Sequence, residues 1–203
     1  MDITCTIPTR STQLTQIVKQ VPPEVTNGSG EAYHGYWAED IYSLNPNFGN
    51  ESDLLSLSQA LRSRNMLLML DVAPNHMGSG PLANITYSNY IPWNNPRYFH
   101  PPNLNITYDP PNQTEIEQFW IGDANTVALP DVNTEVPEVV NTLYLWIRQL
   151  VEKYGVDGLR LDTVKHIRKP FWQKFCKASG VFAMGEVLSG DIEYVNFGNE
   201  LIM

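Results

Sequence analysis

Three acidic residues stand where short apolar runs end: Asp71 after residues 66–70, Asp162 after Gly158–Leu161, and Glu186 after residues 181–185. One acid in such a place is explained as a cap for the next element. Three of three, followed by His76, His166 and Asp191, point to a reactive site. Arg160 and Asp162 are two apart in an extended run, so both project to the same side. A guanidinium beside a carboxylate favours its ionised form, which suits a nucleophile, although a structural ion pair has the same signature. Lys165 and His166, just beyond, are positioned to hold substrate hydroxyls. Glu186 follows apolar residues with no cation near it in sequence, a setting that suits a protonated general acid. One carboxyl held charged and another held protonated is the division of labour in retaining glycoside hydrolysis. Tyr33, Tyr36 and Trp37 cluster around His34 as sugar-stacking groups do, and simple packing explains them equally well.

Such acids need strands to carry them. Asn50 or Ser52 caps a predicted helix whose apolar positions, Leu54, Leu57 and Leu61, recur at three and four residues. Asn65 ends it, and residues 66–70 read as a strand buried on both faces. Val139, Leu143, Trp146, Leu150 and Tyr154 repeat at helical spacing between Pro137, suited to a first turn, and Gly155, suited to a C-cap. A helix near residues 170–179 then precedes the strand 181–185. Residues 17–35, with Pro22-Pro23 and three glycines, read as loop, and residues 1–16 show no usable period. Residues 77–130 are rich in Pro, Asn and aromatic residues, which predicts a functional excursion or small subdomain. Strands alternating with helices predict a parallel α/β sheet with right-handed crossovers. Functional groups gather at the C-terminal strand ends of such sheets.

Composition narrows the partners. Asp plus Glu number 22 against 13 Lys plus Arg, and the net charge of −9 repels phosphate backbones and anionic lipid. Nucleic-acid and membrane-surface binding are therefore disfavoured, and no run approaches the roughly 18–20 apolar residues that span a bilayer. With 42% hydrophobic residues the chain has the material for a core, and Cys5 and Cys176 alone supply no disulfide framework. The four histidines, His34, His76, His100 and His166, lack zinc-site spacing. Asn75, Glu117 and Asp131, in or beside the excursion, are oxygen donors suited to a hard cation such as calcium, although on spacing alone solvated loop acids are the better explanation. Five N-x-S/T sequons occur, at Asn27, Asn50, Asn84, Asn105 and Asn112, where chance gives roughly two. They favour a secreted glycoprotein. The first 16 residues show neither a basic nor an apolar leader region, so either the signal lies upstream of Met1, which is the preferred reading, or the protein stays in the cytosol.

Four ordered segments resemble the secreted fungal alpha-amylases of glycoside hydrolase family 13. They are Ala32-Tyr33-His34-Gly35-Tyr36-Trp37, Asp71-Val72-Ala73-Pro74-Asn75-His76, Gly158-Leu159-Arg160-Leu161-Asp162-Thr163-Val164-Lys165-His166 and Gly185-Glu186-Val187-Leu188. The resemblance runs from about Ile17 to about Asp191. It implies a (β/α)8 TIM barrel with a small domain inserted after the third barrel strand. Asp162 then matches the nucleophile, Glu186 the acid/base and Arg160 the residue orienting the nucleophile. His34, Tyr36, Trp37, His76, Lys165 and His166 match sugar-binding positions. Asn75, Glu117, Asp131 and the carbonyl of His166 match calcium ligands, so the resemblance makes calcium the expected cofactor.

The departures shape the remaining expectations. In this family a third carboxylate, in a histidine-aspartate motif on a later strand, stabilises the transition state, and residues up to Met203 do not reach it. A (β/α)8 barrel takes about 250 residues before insertions, and three of its strands are identifiable here. The expected architecture is an incomplete barrel: an unmatched segment 1–16, partial barrel 17–76, calcium-associated insert 77–130, partial barrel 131–191 and unmatched tail 192–203. The expected activity is endo-hydrolysis of alpha-1,4 bonds in starch, glycogen or maltooligosaccharide by a monomer. A glucanotransferase of the same family and a non-catalytic glucan-binding pseudoenzyme are the alternatives.

Overall fold

Why each element forms is visible at its ends. The computed structural model describes residues 10–26 and 28–199, so the Asn27 sequon and the end of the tail lie outside the described residues. Strand β1 (Ser11–Leu14) leads into an antiparallel pair, β2 (Val18–Gln20) and β3 (Ala38–Leu44). Helix α1 (Glu51–Arg62) begins in a reciprocal capping box. Asn50 accepts from Ser52 and Asp53, and the Asp53 side chain accepts from the Asn50 N–H. After Asn65, whose φ of 54° breaks the helical path, β4 (Leu67–Val72) follows. The chain then runs through short 3-10 turns to α2 (Gln113–Gln118) and a two-stranded pair, β5 (Ile121–Gly122) and β6 (Ala128–Leu129).

Helix α3 (Pro137–Tyr154) has proline in its first turn and stops at Gly155, which takes the left-handed conformation that spares only glycine the Cβ penalty. Strand β7 (Gly158–Leu161), helix α4 (Lys169–Ser179), strand β8 (Phe182–Gly185) and helix α5 (Ile192–Asn199) complete the order. The main sheet runs β1-β4-β7-β8, with every pair parallel. Among the described residues it is an open four-stranded α/β sheet with β1 and β8 at its edges. Leu68, Leu70, Leu159 and Leu161 of the central strands are fully buried with Leu143 and Ile147 of α3 and the Phe171, Trp172 and Phe175 cluster of α4. Burying each such side chain contributes roughly 1.5–3 kcal/mol.

Two sequence expectations need correction. Residues 11–14 are a strand of the main sheet, with Leu14 opposite Leu70. The Ser-Thr-Gln-Leu run hides it because an edge strand needs no continuous apolar pattern. The segment expected as loop from 17 to 35 contains β2, held by β3. That hairpin carries buried Glu39, bonded to Lys19 at 2.7 Å, and buried Asp40, bonded to Ser43 at 2.6 Å. Paired internally, these acids interrupt the apolar period without disturbing the strand.

Gln16, two residues past the end of β1, is 1% exposed, and neither its Nε2 nor its Oε1 meets a hydrogen-bond partner. A buried polar group left unpaired costs about 1–3 kcal/mol. Gln16→Met, of similar shape, is expected to raise the melting temperature by a few degrees. A fall in thermal unfolding experiments would show that the carboxamide is stabilising.

Candidate active site

The sheet register assembles the acids. Asp71 lies opposite Arg160 across β4 and β7, and Leu161 lies opposite Gly185 across β7 and β8, so Asp162 and Glu186 emerge at adjacent strand ends. Arg160 Nη1 donates to Asp162 Oδ1 at 2.6 Å and to both oxygens of Asp71 at 3.1 and 3.0 Å. Its Nη2 lies 3.8 Å from Glu186 Oε2. Tyr36 donates its hydroxyl to Asp71 Oδ2 at 2.6 Å. Burial alone would lower the Arg160 pKa. Asp71 and Asp162 outweigh it and hold the guanidinium above its ordinary value. Burial pushes Asp71 upward, while the Tyr36 and Arg160 hydrogen bonds act against that rise.

Glu186 departs from expectation. The sequence places no cation beside it, yet folding brings Arg160 near from the neighbouring strand, and Glu186 Oε2 accepts the Thr163 N–H at 3.0 Å. Thr163 has a φ of 52°, a conformation that costs a β-branched residue of order 1–3 kcal/mol and that aims this N–H at the carboxylate. No sequence signal marks it.

The candidate sugar-binding residues fall around this cluster. His34 stacks on Tyr36 with ring centroids 5.7 Å apart and meets Trp37 edge-on at 4.6 Å, while Tyr33 is 81% exposed. Gly78 packs under Trp37 so closely that a Cβ there would lie 2.5 Å from the Trp37 Cα. Buried His76 donates from Nε2 to the Tyr36 carbonyl at 3.2 Å. Its pKa is lowered, chiefly by burial. His166 donates from Nδ1 to the Ile116 carbonyl at 2.9 Å. Burial and the Lys165 charge push it down to about 4, so it is a neutral ring with Nε2 as acceptor. Lys165 donates to the Leu188 carbonyl at 2.7 Å and sits 5.0 Å from the Tyr108 ring centre. A cleft of about 910 Å³ joins Glu186, Lys165 and His166 to Tyr108, Leu188 and Tyr194, and sequence reasoning misses the last three as site residues.

The candidate cation ligands separate into two groups. Asn75 and Asp131 are both buried, and Asn75 Oδ1 and Asp131 Oδ1 have no hydrogen-bond donor. The segments meet directly through their backbones, since Val132 N–H donates to the Asn75 carbonyl at 2.8 Å and Met77 N–H to the Pro130 carbonyl at 3.0 Å, which sets His76 opposite Asp131 in an antiparallel bridge. Burial pushes the Asp131 carboxyl up to about 7 against the His100 hydrogen bond of 2.5 Å. Glu117, on α2, instead accepts from Gln113 Nε2 at 2.7 Å. Among the described residues no three His, Cys, Asp or Glu side chains gather as a metal cluster. Two buried oxygens wanting a positive partner nonetheless have the chemistry of hard-cation donors.

Residues 9–186 match the alpha-amylase catalytic-domain family. The chain belongs to the alpha-amylase family. Alpha-amylase 2 of Schwanniomyces occidentalis is 45% identical over 182 residues, which cover 89% of this chain and 35% of that protein. Alpha-amylase 1 of Lipomyces kononenkoae is 43% identical, with 89% and 28% covered. The chain thus spans about a third of the length of these relatives. Among solved structures, an alpha-amylase from Malbranchea cinnamomea matches with a TM-score of 0.89 at 44% identity, covering 95% of this chain and 40% of that one. The acarbose complex of an alpha-amylase from Geobacillus thermoleovorans matches at 0.78 and 33% identity, with 95% and 40% covered. The alpha-amylase match begins at residue 9, earlier than the motifs suggest, because it includes β1.

Proposed function

We propose that these residues form the nucleophile and acid/base half of an endo-acting, retaining alpha-1,4-glucan hydrolase. The observation that carries this reading is one guanidinium, Arg160, touching Asp162 at 2.6 Å and approaching Glu186 to 3.8 Å from adjacent strand ends. Arg160 fixes Asp162 in orientation, ready to attack the anomeric carbon. Glu186 gives its proton to the departing glycosidic oxygen, then takes one from the water that releases the glycosyl group. Asp71 and Asp162 set two carboxylates against the one Arg160 guanidinium, and that local excess favours an oxocarbenium-like transition state. His34, Tyr36, Trp37, His76, Lys165 and His166 would line the sugar sites. Product analysis on maltoheptaose tests the reading: shorter oligosaccharides support hydrolysis, chains longer than the starting one support transfer, and binding without turnover supports a pseudoenzyme.

Asn75, Asp131, Glu117 and the His166 carbonyl would hold calcium, joining residues 77–130, read as an inserted subdomain, to the sheet. The ion would supply the charge that the two unpartnered oxygens lack. Chelation is expected to lower the melting temperature by several degrees, since a ligand at 100-fold its Kd stabilises by about 2.7 kcal/mol. An unchanged melting temperature would argue against the ion. Secretion is proposed from the sequons, and no described helix is long and apolar enough to cross a membrane.

A further inference from the structure

We propose that Asn84 carries an N-linked glycan whose first sugar rests in a groove of the protein's own surface, an inference that rests on the secretory reading above. Asn84-Ile85-Thr86 is one of the five sequons. Asn84 is exposed, and no described group hydrogen-bonds its side chain, whereas Asn50 and Asn112 use their carboxamide oxygens to cap α1 and α2. Thr86 turns its hydroxyl back to the Asn84 carbonyl at 3.4 Å, so both sequon side chains lie on one exposed turn.

What separates Asn84 from exposed Asn105 is its surroundings. It lines a cavity of about 240 Å³ together with Glu24, Glu39, Asn89, Ile85 and Tyr90. That mixture suits a pyranose: exposed Glu24 and Asn89 can bond its hydroxyls and acetamide and half-buried Ile85 offers apolar surface to its ring, while Tyr90 and the Lys19-paired Glu39 are buried. The groove is built by the close approach of residues 21–25 to the turn after β4, where Gly80 leaves no room for a Cβ because it would meet the Val25 carbonyl at 1.8 Å. In the modification, Asn84 Nδ2 forms a bond to the anomeric carbon of a polyprenyl-pyrophosphate-linked oligosaccharide. The bond from that carbon to the phosphate oxygen breaks, the pyrophosphate leaves with its electron pair, and one amide proton is lost.

The test is expression of the full polypeptide through a eukaryotic secretory pathway, followed by glycopeptide mass spectrometry. The tryptic peptide covering residues 65–97 isolates Asn84 from the other sequons. Asn84 is expected to be occupied, and native digestion with an endoglycosidase that cuts within the chitobiose core is expected to release its glycan at least tenfold more slowly than that of Asn105. Asn84→Gln is expected to lower the melting temperature of the secreted protein, with Asn105→Gln leaving it unchanged. An unmodified Asn84 beside occupied sequons, or equal release from both sites, overturns the proposal alone. No occupied sequon at all overturns the secretory reading with it.

Discussion

Asp162→Asn is expected to lower kcat on maltooligosaccharide by about 10⁴-fold or more, the scale seen when a catalytic nucleophile is removed. KM is expected to change little, because the variant keeps its shape and its neighbours. Glu186→Gln should behave differently. General acid catalysis contributes about 10²–10⁴-fold, and only when the leaving group needs a proton. The variant should therefore fail on starch yet still react with a maltosyl fluoride, whose fluoride leaves unaided. Near-normal starch cleavage by either variant, in the full polypeptide, would refute the roles of nucleophile and acid/base. Equal losses of Glu186→Gln on both substrates would refute its role as the acid.

Arg160→Leu is expected to cost about 3–5 kcal/mol of stability, a fall of roughly 10 °C in melting temperature. The reason lies in what remains rather than in the lost pair. Asp71 is 2% exposed and donates nothing, so without Arg160 its charge is buried against Tyr36 alone, and Asp162 loses its 2.6 Å partner. Leaving one member of a buried pair behind is far more costly than removing both. The double variant Arg160→Leu, Asp71→Leu should accordingly recover part of the loss. A melting temperature within 2 °C of the parent for Arg160→Leu would mean that the network is solvated and contributes little.

Much of the fold is legible in the chain. Leu54, Leu57 and Leu61 announce α1, Pro137 and Gly155 bound α3, and the strand carrying Arg160 can be read over its full extent. Those elements are locally determined: a period, a cap and a stop suffice. Strand β1 is not legible because Ser11–Leu14 has no apolar alternation, and its place is fixed by hydrogen bonds to β4. Strand β3 hides behind Glu39 and Asp40, acids whose burial depends on partners supplied by the fold.

The site divides the same way. Asp162 and Arg160 sit two apart at one strand end, so spacing alone pairs them. The contact of Arg160 with Asp71 crosses 89 residues of sequence, and the N–H of Thr163 reaches Glu186 across 23. Register between strands creates those contacts, and no local pattern encodes register. The apolar setting that the sequence suggests for Glu186 is lost on folding for this reason, since its cation arrives from the strand beside it.

If Asp162 is the nucleophile of a double displacement, its glycosyl ester can be trapped. The full polypeptide would be incubated with a 5-fluoro maltosyl fluoride, digested and mapped by mass spectrometry. A glycosyl ester is expected on the peptide containing Asp162, and none is expected in Asp162→Asn. An adduct on another carboxylate, or turnover of the reagent with inversion and no covalent species, would contradict the assignment.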